Sequence, residues 1–110
     1  MIKFKERSVT EYVEIQLTNT SDDTDLSLRE LRRKELKNGS MEIKANYVLH
    51  RSGELSEVRG MNSVSGQGDN NIIILVVGSN ANSKQNETLN SFYKTVEMIY
   101  PSIEIVSYKE

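Results

Sequence analysis

The chain has 110 residues, 14 basic against 16 acidic side chains, a formal net charge of −2, one histidine and no cysteine. This length fits one domain over 1-110 with one modest core, and the absence of cysteine excludes a disulfide framework. The near-balanced charge supplies no electrostatic reason to expect nucleic acid or an anionic membrane as a partner.

Met1 to Arg7 alternates charged and apolar groups and lacks the continuous apolar stretch of a signal peptide. The longest apolar run, Ile72 to Val77, covers six residues, far below the roughly 20 needed to span a bilayer. A soluble, cytoplasmic protein is expected. In Tyr12 to Leu17, Val13, Ile15 and Leu17 recur at period two, as in a half-buried strand. Ser21 to Thr24 breaks the pattern as a polar loop. Ser27 followed three residues later by Glu30 is a capping-box signature, which predicts a helix from Leu28 to about Asn38 ended by Gly39. Leu28, Leu31 and Leu36 would face inward, and Arg29, Arg32, Arg33, Lys34 and Lys37 would face water.

Ile43 to Arg51 reads as a strand, and Ser52-Gly53 offers the positive-φ residue of a tight hairpin before a return strand from Leu55 to Arg59. Gly60 to Asn71 is a loop. Ile72 to Val77 lacks alternation, which implies apolar cover on both sides and a central position in the sheet. Asn82 with Gln85 resembles a second cap, and Leu89, Phe92, Tyr93, Val96 and Ile99 follow at helical spacing up to Pro101. Ile103, Ile105 and Ser107 alternate with Glu104, Val106 and Tyr108 in a final strand. The sum is a single α/β domain, a mixed sheet of about five strands flanked by at least two helices.

The order and spacing of Leu28-Arg29-Glu30-Leu31-Arg32, Tyr47-Val48-Leu49-His50-Arg51-Ser52-Gly53, Val58-Arg59, Asn70-Asn71-Ile72 and Leu75-Val76-Val77-Gly78 resemble the type-2 N-acetylmuramoyl-L-alanine amidases, which include phage lysozymes. The resemblance runs from about Phe4 to Glu110. It implies the amidase and peptidoglycan-recognition fold, a peptidoglycan substrate and a catalytic zinc. It also implies where the zinc ligands fall. The first histidine ligand, in a pattern like V-H-C-S-A-T, coincides with Gln16, and the second coincides with Tyr108. The third, usually Cys or Asp, falls beyond the last residue. The family's catalytic tyrosine coincides with Ala45, beside Asn46, and the histidine of its G-x-H motif coincides with Gln67.

A neutral amide oxygen is a poor zinc ligand, and a phenol with a pKa near 10 is mostly protonated at neutral pH. No zinc and no zinc-amidase chemistry are therefore expected here, although the family uses both. Gln16, Ala45, Asn46, Gln67 and Tyr108 would mark a remnant groove, in which the polar side chains either plug one another or still hold a ligand. The function expected is that of a pseudoenzyme binding a muropeptide or a protein partner. Two alternatives are an active peptidoglycan hydrolase with an unrecognised or partner-completed site, and an interaction module without muropeptide affinity that presents the basic face from Arg29 to Lys37. Some phage amidases of the family also bind a phage RNA polymerase.

Other motifs carry less chemistry. His50 has no cysteine or serine elbow near it in sequence and reads as a surface or packing residue, since a general base needs a positioned partner. Gly66-Gln67-Gly68 lacks the strand-glycine-helix context of a nucleotide loop. Asp22, Asp23 and Asp25 lack the glycine and closing glutamate of a calcium loop and read as a solvated acidic turn.

Overall fold

In the computed structural model, residues 6, 9–39, 42–67 and 70–107 are described. The order is β1 (Tyr12–Leu17), α1 (Leu28–Lys37), β2 (Tyr47–Leu49), β3 (Leu55–Glu57), β4 (Asn71–Val76), α2 (Ser83–Ile99) and β5 (Glu104–Ser107). The strands form one five-stranded sheet in the order β3-β2-β4-β1-β5. β1 runs parallel to β4 and β5, β2 runs parallel to β4, and the β2-β3 hairpin supplies the antiparallel pair. β4 lies at the centre, and Ile72, Ile73, Ile74, Val76 and Val77 are all fully buried, as the unalternated run requires.

Each face of the sheet has its own core. Val13, Ile15, Tyr47, Leu49, Ile72, Ile74 and Val76 meet Leu89, Phe92 and Val96 of α2, with Tyr47 and Phe92 edge to face at 5.1 Å. The opposite face packs Val48, Ile73 and Val77 with Ile43, Ala45 and Leu31, the last from α1. Both helices start with complete capping boxes. The Ser27 Oγ accepts from the Glu30 N–H, and the Asn82 side chain accepts from the Gln85 N–H. Gly53, at φ 91, closes the hairpin between His50 and Glu54.

Three expectations are corrected. Leu36 is 61% exposed, because at about 100° per residue it lies about 140° around the helix from Leu31. Ile99 is 53% exposed: it is the last helical residue and sits about 80° from the direction of Leu89, at the margin of the stripe. Only Tyr47–Leu49 of the expected strand from Ile43 to Arg51 makes ladder pairs, since the Asn46 side chain takes the Ile73 N–H that a longer ladder would use.

Candidate functional site

The side chains of Glu14 and Gln16 alternate with Val13 and Ile15, so they leave the α2 core and turn to the α1 side of the sheet. Glu14 is flanked in register by Ile73 and Val106, and Gln16 by Leu75. Glu14 is buried, 8% exposed. The Gln16 Nε2 donates to the Glu14 carboxylate and to Gln67 Oε1 at 3.0 Å. In return, the Gln67 Nε2 donates to Gln16 Oε1 at 3.2 Å and to the Lys44 carbonyl at 2.6 Å. The two glutamines thus form a reciprocal amide pair backed by a carboxylate.

Gln67 reaches this point because its loop is anchored on both sides. The Asn46 Nδ2 donates to the carbonyls of Gly60 and Ser63, and Arg59 Nε donates to the Ile43 carbonyl. The buried Ser65 hydroxyl donates to Asn71 Oδ1 at the start of β4. Beside the pair lies a hollow of about 270 Å³ between α1 and the sheet, lined by Leu17, Leu31, Lys34, Glu35, Ile43 and Leu75 among others. Its walls combine the apolar Leu17, Leu31, Ile43 and Leu75 with the polar Thr18, Lys34, Glu35 and Asn38, and Glu14, Gln16 and Gln67 lie outside its lining.

Of the residues singled out in the sequence, Gln16 and Gln67 come together, and Ala45 and Asn46 do not join them. Ala45 is 1% exposed within the α1-side core, and every polar atom of Asn46 is committed to backbone groups. Tyr108 lies outside the described residues. Glu14 was missed, although the alternation that places Val13 and Ile15 on one face places Glu14 and Gln16 together on the other.

His50 is not a free surface group. Its Nδ1 faces the Leu26 carbonyl at 2.8 Å and therefore carries the proton, and its Nε2 lies 2.8 Å from Ser56 Oγ. The hairpin, which pairs Ser56 with Val48, folds that hydroxyl back onto the ring. Asp25 Oδ1 accepts from the backbone N–H of Leu26 and of Arg51, so the acidic turn is more than a solvated one. Asp22 accepts from the backbone N–H of Ser79 and Asn80 and from the Ser79 hydroxyl, with Arg51 Nη1 at 3.5 Å.

The Ser79 hydrogen bonds above all hold the Asp22 carboxyl below its ordinary value of 3.8. A group whose folded pKa is depressed contributes stability above its unfolded pKa and loses it as pH falls through the folded one. Asp22→Asn is therefore expected to lower stability at pH 7 and to flatten the decline below about pH 4. Urea midpoints of both proteins across that range would expose the idea as wrong if the two acid limbs ran parallel.

The described residues do not fit a zinc ion. Among the described residues no group of three or more His, Cys, Asp or Glu side chains converges on one point, and the only histidine of the chain spends both ring nitrogens at the hairpin. Around Gln16 the donors are one carboxylate, two neutral amides and a carbonyl, a hard oxygen set without the imidazole or thiolate that zinc prefers.

No protein-family model and no curated protein sequence matches the chain. Solved structures do. An endolysin of a Thermus scotoductus bacteriophage superposes with a TM-score of 0.79 at 17% identity, over 94% of this chain and 75% of that one. The N-acetylmuramoyl-L-alanine amidase LysC of Clostridium intestinale gives 0.79 at 10% identity, over 96% and 78%. A human PGRP in complex with glycosamyl muramyl pentapeptide gives 0.75 at 16% identity, over 97% and 76%. The five-stranded mixed sheet with its two helices is thus the fold shared by type-2 N-acetylmuramoyl-L-alanine amidases and peptidoglycan recognition proteins.

Proposed function

We propose that this chain binds a peptidoglycan fragment in the cleft between α1 and the sheet, without zinc and without cleaving it. The observation that supports this reading is the set of groups around Gln16, the residue that the sequence resemblance aligns with the family's first zinc ligand. There, Gln16 is hydrogen-bonded to Glu14 and Gln67, which supplies hydrogen-bond donors and acceptors but no zinc-bound water. Zinc lowers the pKa of its water from about 16 to about 7, and no residue beside Gln16 substitutes for that. The fold itself supports a peptidoglycan-related role, and folds host more than one activity. Its neighbour, the human PGRP, was solved with a muramyl pentapeptide ligand.

The test is a titration of the protein with a muramyl pentapeptide in the presence of EDTA. Saturable binding with the same Kd with and without the chelator is expected. If no saturation is reached, the groove reading falls and the search turns to a protein partner.

A further inference from the structure

We infer that Gln67 is an internal stand-in for the ligand, and that Gln16 is a reader of primary carboxamides. The inference rests on the groove reading above for the nature of the ligand as a whole, and adds which chemical group that ligand presents.

Gln16 is held by a neighbour that can only accept. The Gln16 Nε2 donates to Glu14 Oε2, and this contact fixes the orientation of the amide. With that orientation set, Gln16 presents one N–H donor and one carbonyl acceptor side by side. Gln67 meets both, donating at 3.2 Å and accepting at 3.0 Å. Only a group with a donor and an acceptor on adjacent atoms completes such a pair, and a primary carboxamide is the simplest that does.

A carboxylate does not complete it, for two reasons. It lacks the donor for Gln16 Oε1, and it brings a second negative charge toward buried Glu14, for which no cationic partner occurs among the described residues. The site therefore selects amide over acid by leaving the acid's partner unpaired.

Gln67 is also replaceable without losing its loop. Its side chain is exposed, whereas the loop is tied down by Asn46 to Gly60 and Ser63, and by Ser65 to Asn71. An internal group that occupies the binding edge lowers apparent affinity by the fraction of molecules in which the edge is free. Removing it raises affinity for an external carboxamide.

The experiment uses two muramyl dipeptides that differ only in ending with a carboxamide or with a carboxylate. Each is titrated into the ¹⁵N-labelled wild-type protein, Gln67→Ala and Gln67→Glu, and the side-chain NH₂ resonances of Gln16 are followed. Gln67→Glu keeps the size of the side chain but loses its donor. The carboxamide form is expected to bind at least about tenfold more tightly than the acid, and both variants are expected to tighten it by about tenfold, with the Gln16 resonances shifting in step. Equal affinity for the two forms, or no gain in either variant, overturns the carboxamide inference and leaves the groove reading standing. Absence of binding by both forms to all three proteins overturns both.

Discussion

Asn46→Ala is expected to cost about 3 kcal/mol of stability, since it removes three hydrogen bonds to backbone groups at once, among them the acceptor of the Ile73 N–H in the central strand. The Asn46 side chain is fully buried, accepts from the Ile73 N–H at 3.0 Å, and donates to the carbonyls of Gly60 and Ser63 at 3.0 and 2.9 Å. One end of this network is the central strand and the other is the loop that delivers Gln67, so the loss should be felt at the site as well as in the fold. Amide exchange at Ile73 and urea unfolding read the two ends separately. Asn46→Asp separates the bonds: it retains the acceptor for Ile73 but sets a carboxylate against two carbonyls. A cost under about 1 kcal/mol for Asn46→Ala, the range of an ordinary surface change, would show that the loop is held by something else.

Gln85→Leu is the second large effect, again about 3 kcal/mol, and it runs against what volume alone suggests. Leucine is close in size and suits the α2 stripe, in which Gln85 is fully buried. The glutamine, however, donates to the carbonyls of Leu49 and Val77, where β2 and β4 end, and accepts from the Asn82 N–H and from Arg51 Nη1. Leucine would leave the Asn82 N–H without its acceptor and strip one donor from each carbonyl, which would keep only the Val77 N–H and Arg51 Nη1 respectively, and Arg51, whose Nε already lacks a partner, would lose the Gln85 acceptor. Thermal unfolding of Gln85→Leu decides between packing and bonding. An unchanged Tm would mean that the core wants only volume there.

These two residues also mark where the sequence ceases to be legible. Strands β1 and β4, both capping boxes and the hairpin at Gly53 were readable because each depends on neighbours within a few residues: period two, period 3.6, or a cap three positions away. Gln85 was recognised for its local half, the cap on Asn82, but its bonds to Leu49 and Val77 span the fold and leave no local trace. Asn46 enters the expected groove only because it lies beside Ala45, whereas its side chain pins a loop from beneath. Hydrophobicity places Leu36 inward and helical spacing places Ile99 on the α2 stripe, but the angle around the helix axis turns the first to solvent and the helix end exposes the second. At the site, the Gln16 and Gln67 positions came from the resemblance and do meet. Glu14 is equally legible in the alternation of β1, which sets it beside Gln16 on the face opposite Val13 and Ile15.

The basic side chains of α1 lie at the surface. Arg29, Arg32, Arg33, Lys34 and Lys37 are all exposed, and Arg32 reaches Glu42 at 2.7 Å, a pairing of the kind that contributes little at a surface.

The central claim, a muropeptide-binding cleft whose metal chemistry has been replaced by a carboxylate and two amides, is tested most directly by one measurement. The purified protein is dialysed against trace zinc, assayed for metal by elemental analysis, and then incubated with a muramyl pentapeptide whose integrity is followed by mass spectrometry. The expected result is zinc well below one equivalent per chain and a muropeptide that is bound yet intact. One zinc per chain together with cleavage of the bond between muramic acid and L-alanine would contradict the account.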